Sequence, residues 1–190
     1  MATDPVRRFT PEEYLAFERR SASKSELVHG EIVAMTGASR RHNLIAGNLF
    51  AALHAQLRKE RGCEAYTTDM RVRIPATNLY TYPDVVVVCG EPRFEDGELD
   101  TLLNPTLIAE VLSKSTEDYD RGSKFANYRT LPSFREYLVI AQDRVHVEHH
   151  VREAEERWVL TEHDDPGACL ELPSIRRTLA LADVYDRVFL

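Results

Sequence analysis

Apolar positions along this 190-residue chain recur at helical spacing in some stretches and at every second position in others, and the changes of period mark out its elements. Thr10 can cap a short helix, PEEYLAFER, because Pro11 suits the first helical position and Glu13 completes a capping box. SELVHGEIVAM reads as two short extended runs joined around His29 and Gly30, where glycine permits a turn, and so predicts a hairpin. From Ser39 to about Arg58, Ile45, Leu49, Ala52, Leu53 and Leu57 return at helical offsets until Gly62 stops the run. This is the longest predicted helix, with one face in the core. EAYTTD and MRVRIP then alternate apolar and polar residues, as half-exposed strands do.

Two runs break that alternation. YPDVVVVC and TLIAEVL are almost continuously apolar, which predicts interior strands covered on both faces by helices. Between them GEPRFEDGELDTLLNP reads as a charged loop. Tyr119 to Thr130 predicts a helix, with Phe125, Tyr128 and Arg129 at helical offsets and Pro132 beyond its end. REYLVI follows as a strand, VHVEHHV and RWVLTE as two more, and LALADVYDRVF as a closing helix. SFRE, Ser133 to Glu136, has the form of a capping box, but the apolar run behind it is strand-like and the match is discounted. This order predicts an α/β or α+β fold built on a mixed sheet, and the length fits a single domain over residues 1–190.

Each of the two apolar runs carries one acid, Asp84 in the first and Glu110 in the second. An ionised carboxylate in a dry sheet is costly unless its charge is answered, so two acids on successive runs point to a shared cation. The competing reading leaves both at strand ends in ordinary ion pairs.

Composition sets bounds on this chemistry. Hydrophobic residues at 43% and charged residues at 29% are ordinary for a globular protein, and a net charge of −7 argues against broad, charge-driven nucleic-acid binding. Acids that hold a divalent metal count toward that total, and Arg40, Arg41, Arg58, Lys59, Arg61, Arg71 and Arg73 concentrate positive charge in one region of sequence. Cys63, Cys89 and Cys169 are odd in number and far apart, which indicates neither a disulfide framework nor a zinc site and suits a reducing cytoplasm. MATDPVRRF has no apolar signal core, and no stretch is long and apolar enough to span a bilayer. In HVEHH, His146 and His150 share a strand face with Glu148 while His149 points away, but spacing supplies no further zinc ligand.

SELVHGEIVAMTGASRRH, YPDVVVV, LIAEVLSKST, the lysine of DRGSKFANYR and FREYLVI occur in an order and spacing that resemble the Uma-type family of restriction endonucleases, within the PD-(D/E)XK nuclease superfamily, over about residues 9 to 150. The resemblance implies a restriction-endonuclease-like mixed central sheet flanked by helices, with acids that hold Mg2+ or Mn2+ against a phosphodiester of DNA. Asp84, after Pro83, matches the first acid of the superfamily motif and Glu110 the second. The 26 positions from 84 to 110 leave room for a loop returning to an adjacent strand. The backbone carbonyl of Val111 would be a further metal ligand by the same likeness.

The chain departs from the pattern at Leu112, where the superfamily's lysine would fall. Lys124 matches the lysine that Uma-type sequences carry instead, and Lys114 is the other candidate for the missing charge. The resemblance also places Glu26 and Glu31 near the pocket, one of them completing the metal shell or holding a coordinated water, and matches His42, Ser113 and Tyr128 to family-like positions. His42 falls in the first turn of the long helix, whose positive end disfavours a charged ring. Ala141 stands where the family usually has an aspartate. Two readings follow. One is a magnesium-dependent endonuclease acting on DNA, with a homodimer expected because relatives that cut both strands often pair. The alternative is a catalytically silent nuclease fold kept as a binding or assembly module.

Overall fold

Thr10 opens the first helix as its sequence requires: its hydroxyl accepts from the Glu13 amide at 3.2 Å, and the Glu13 carboxylate accepts from the Thr10 amide at 3.0 Å. The computed structural model describes residues 7–59, 62–114 and 116–188, and Arg61 lies outside them. Helix α1 (Pro11–Glu18) leads into strands β1 (Ser25–Val28) and β2 (Glu31–Ala34). Their two-residue turn has φ of 51° at His29 and 84° at Gly30, the left-handed pair that a tight hairpin between twisted strands demands. Helix α2 (Arg40–Leu57) is capped by Ser39, whose hydroxyl accepts from the His42 amide at 3.1 Å.

The next strands are β3 (Cys63–Thr67), β4 (Arg71–Ile74), β5 (Leu79–Thr81) and β6 (Val85–Cys89), followed by β7 (Thr101–Leu102) and β8 (Leu107–Val111). Two of these were hidden in the sequence. β5 is only three residues long, and β7, inside the predicted charged loop, exists through its parallel pairing with β4. The predicted Tyr119–Thr130 helix is in fact three pieces: α3 (Glu117–Tyr119), a π-helical turn at Asp120–Lys124, and α4 (Phe125–Tyr128). After them come β9 (Glu136–Ile140), β10 (Val147–Arg152), β11 (Trp158–His163), β12 (Cys169–Leu172), β13 (Arg177–Ala180) and the four-residue α5 (Leu181–Val184). The closing helix is therefore mostly a hairpin, β12–β13, with a short helical turn behind it.

The strands build a mixed six-stranded sheet in the order β11-β10-β9-β8-β6-β3, a five-stranded sheet β2-β1-β5-β4-β7, and the two-stranded β12–β13. β6 and β8 are antiparallel neighbours, while β8 and β9 run parallel. β6 and β8 lack polar alternation because both faces of the large sheet are covered. On one face Val85, Val87, Leu107 and Ala109 pack with Ile45, Leu49 and Leu53 of α2. On the other, Val86, Val88 and Ile108 meet Val72 and Ile74 of the five-stranded sheet together with Tyr128 and Phe134. The expectation of helices on both faces is corrected here, since a second sheet covers much of one. This architecture is a mixed α+β fold.

The cysteines require a second correction. Cys63 and Cys89 are directly opposite in the β3–β6 ladder, their Cα atoms 4.0 Å apart, and they are joined by a disulfide, while Cys169 is free and exposed. The ladder brings together two residues that are 26 positions apart in sequence. Such a bond is uncommon in a reducing cytosol, so the cysteines do not support a cytoplasmic placement. Among the described residues no helix is long and apolar enough to cross a membrane.

Candidate active site

Asp84 directly precedes β6, and Glu110 is the fourth residue of β8. The β6–β8 ladder pairs Val85 with Ala109, so continuing it by one step places Asp84 opposite Glu110. The Asp84 amide lies 3.4 Å from Glu110 Oε2, and Asp84 Oδ2 accepts from the Val111 amide at 2.7 Å. The two acids and the Val111 backbone thus meet at the end of the ladder.

Two further elements converge on this point. α2 delivers His42, whose Nε2 is 3.2 Å from Asp84 Oδ2. Asp84 works against the neutral ring expected at a helix start. Burial does favour the neutral form, but the hydrogen bond and charge of Asp84 outweigh it, and the pKa of His42 is raised.

The π-helical turn delivers Lys124. Its ammonium is 2.9 Å from Glu110 Oε1, 3.4 Å from Asp120 Oδ1 and 3.5 Å from Glu26 Oε1, with only 5% of the residue exposed. A widened turn of this kind often marks a functional site, and here it carries both Asp120 and Lys124 inward. Burial works against the ammonium, yet the three surrounding carboxylates hold its pKa well above the ordinary value. Lys114, by contrast, is exposed. Leu112 is buried in the hydrophobic core, so the motif position two residues after Glu110 serves packing.

The remaining predicted residues divide clearly. Glu26 is buried: its Oε1 accepts from the Tyr82 amide at 3.2 Å and from the Thr81 hydroxyl. It therefore faces Lys124 rather than Asp84. Glu31 is exposed on the edge strand β2, opposite Val28, and among the described residues no hydrogen bond or ion pair joins it to the cluster. The Tyr128 hydroxyl donates to Glu110 Oε1 at 2.9 Å. Ser113 pairs through its hydroxyl with that of Thr116 at 2.9 Å, at the start of α3.

Asp120 and Gln142 escaped the sequence reading. The only trace of Asp120 was its position four residues before Lys124, the spacing of a helical ion pair. Gln142 left no signal at all. Its amide donates to the Leu112 carbonyl at 2.7 Å and its oxygen accepts from Ser39 at 2.5 Å, tying the start of α2 to the end of β8.

Among the described residues, Asp84, Glu110, Glu26 and Asp120 are four acids that pair with Lys124 and His42, so that when all four are ionised the acids outnumber the bases by two. Burial raises the Glu110 carboxyl, partly offset by Lys124 and reinforced by Asp120 and Asp84, and burial likewise raises Asp120. A hard divalent cation would answer the same excess. Among the described residues no three His, Cys, Asp or Glu side chains converge as a ligand set. Two carboxylates and a backbone oxygen nevertheless suit magnesium, which keeps several waters and completes its shell with substrate phosphate.

A solved structure shares this architecture. A crystal structure described as a putative nuclease from Anabaena variabilis matches with a TM-score of 0.76 at 19% identity, over 95% of this chain and 99% of that one. The Uma2 family model, described as "Putative restriction endonuclease", matches residues 11–182, and the chain belongs to that family. Two curated relatives, both described as uncharacterized proteins of Synechocystis sp., are similar along most of their length. One, sll1609, is 40% identical over 85% of this chain and 91% of its own, and the other, slr1290, is 34% identical over 95% and 93%.

Proposed function

We propose that the chain is a divalent-metal-dependent endonuclease that hydrolyses phosphodiester bonds of DNA. The observation that carries this reading is the approach of Lys124 to within 2.9 Å of Glu110, because it supplies beside the acid pair the cation that Leu112 cannot. The family description and the nuclease neighbour support the same reading.

Asp84, Glu110 and the Val111 carbonyl would hold magnesium or manganese. When bound, the ion supplies Lewis-acid polarisation of the scissile phosphate and lowers the pKa of water. The protein's own groups do the rest. The Val111 amide and His42 fix the Asp84 carboxylate, and the Tyr128 hydroxyl fixes Glu110. Lys124, aimed by Glu26 and Asp120, offsets the negative charge that builds on the phosphate as the bond breaks. Cutting both strands calls for two such sites, which makes a homodimer part of this reading; the DNA substrate argues for the cytoplasm, although the Cys63–Cys89 bond argues against it.

Plasmid nicking with magnesium or manganese tests the assignment. Nicking should vanish in Asp84→Ala and Glu110→Ala and fall about a hundredfold or more in Lys124→Ala. Loss of nicking in Lys114→Ala, with Lys124→Ala still active, would transfer the role to the other lysine. A wild-type chain that neither nicks DNA nor loses divalent binding on mutation of the two acids would be the silent module instead.

A further inference from the structure

A cavity of about 590 Å³ opens between the start of α2, the end of β8, α3 and the β9–β10 turn. Its walls have a polarity opposite to that of the whole chain. Among the described residues, Arg40, Arg41, Lys114, Arg121 and Arg144 line it against two acids, Glu117 and Asp143, although the protein carries a net charge of −7. Arg121 is held in place by Glu148 at 2.7 Å and Glu117 at 3.1 Å, so it shapes the wall. Arg40, Arg41, Lys114 and Arg144 are exposed around the opening.

The placement of these cations runs against the protein's own electrostatics. Arg40 and Arg41 are the first two residues of α2, whose positive dipole end favours anions, and no acid occupies that first turn. Lys114 adds like charge across the same cavity, as does Arg144, which lies 3.7 Å from Asp143 in an exposed pair. An arrangement unfavourable in the free chain becomes favourable once an anion enters. The cavity also adjoins the reacting centre: Leu112 and Ser113, next along the chain from Val111, form part of its wall, and Ser39 is one helical turn from His42.

We infer that this cavity holds the phosphodiester backbone of the substrate strand beside the scissile phosphate, with Arg41, Lys114 and Arg144 as its phosphate contacts. The inference rests on the nuclease reading and adds where, and by which side chains, the strand is gripped. The positive cluster seen in the sequence is redistributed on folding: Arg71 pairs with Asp100 and Arg73 with Glu95, while Arg41 lines the cavity together with Lys114 and Arg144 from distant segments. Phosphate contacts of this kind position a strand without reading its sequence.

The test is fluorescence anisotropy with a fluorescein-labelled DNA duplex over a sodium chloride series, using the full chain with metal chelated so that nothing is cut. Arg41→Gln, Lys114→Gln and Arg144→Gln should each weaken binding several-fold and lower the slope of log affinity against log salt by about 0.9 for each phosphate left without its cation. Arg157→Gln, in the turn at the other end of the β10–β11 hairpin and 72% exposed, should change neither. A merely structural role would lower the melting temperature, whereas Arg41→Gln should keep or raise it. Three variants with the parent's affinity and salt slope would overturn the assignment, and a parent that still nicks DNA would show that the nuclease reading survives. A parent with neither binding nor nicking would overturn both. A mononucleotide that binds as tightly as the duplex through the same residues would overturn the strand in favour of a small phosphate ligand.

Discussion

Lys124 and Glu110 form a buried ion pair across 2.9 Å, joining the π-helical turn to the interior strand β8. Removing one member of such a pair leaves the other charge stranded, so Lys124→Met should lower stability by about 3–5 kcal/mol in addition to its effect on activity. The double variant Lys124→Met with Glu110→Gln should regain only part of that stability, because Glu26 and Asp120 still lack their cation. Urea denaturation of the four proteins measures the coupling. Strictly additive losses would mean that the two side chains are not energetically joined.

Asp84 reaches its position through Val111 and His42 rather than through β6 alone. Titration calorimetry with manganese should therefore show divalent binding abolished in Asp84→Ala and Glu110→Ala. In His42→Asn, which loosens an orienting hydrogen bond, it should weaken by about ten- to a hundredfold. Glu31→Ala should bind as the wild type does, since that side chain lies exposed on the edge strand. Weakening in Glu31→Ala equal to that in His42→Asn would return it to the metal shell.

The acid pair was legible in the sequence because a carboxylate in an apolar run has few structural excuses, and the β6–β8 pairing did set Asp84 opposite Glu110. Thr10 with Glu13, and His29 with Gly30, were legible because caps and tight turns are local. What stayed hidden depends on long-range register. β7 exists only against β4, and Cys63 meets Cys89 only because an antiparallel ladder aligns them. Lys124 was legible through the family resemblance and Asp120 was not, because nothing in the sequence marks the π-helical turn that carries both inward. The basic residues misled for a related reason. Neighbours in sequence such as Arg71 and Arg73 were consumed by acids of the five-stranded sheet's loop, while the cavity drew its cations from four separate segments.

The Cys63–Cys89 bond makes a prediction of its own. Native protein prepared without reductant should present one titratable thiol, Cys169, and all three only after denaturation and reduction. Replacing both partners by serine should cost about 3 kcal/mol, the scale expected for closing a loop of this length. Three reactive thiols in the native chain would show that the bond does not form in solution.

Asp100 is held by two arginines on the α1 side of the molecule. Arg19 binds it through two hydrogen bonds, at 2.8 and 2.9 Å, and Arg71 reaches it at 2.5 Å. The Arg19 hydrogen bonds, opposed by burial and reinforced by Arg71, hold its carboxyl well below the usual aspartate range. With the folded pKa below the unfolded value, the stabilisation is fully present above about pH 4 and drains away as pH falls toward the folded value. Asp100→Asn should therefore be less stable than wild type near neutral pH, and the difference should shrink as the solution is acidified. Urea midpoints for both proteins across an acid series would show it. A difference that stays constant down to the lowest pH at which both remain folded would assign the contribution to hydrogen bonding that asparagine cannot reproduce, with no share for the charge.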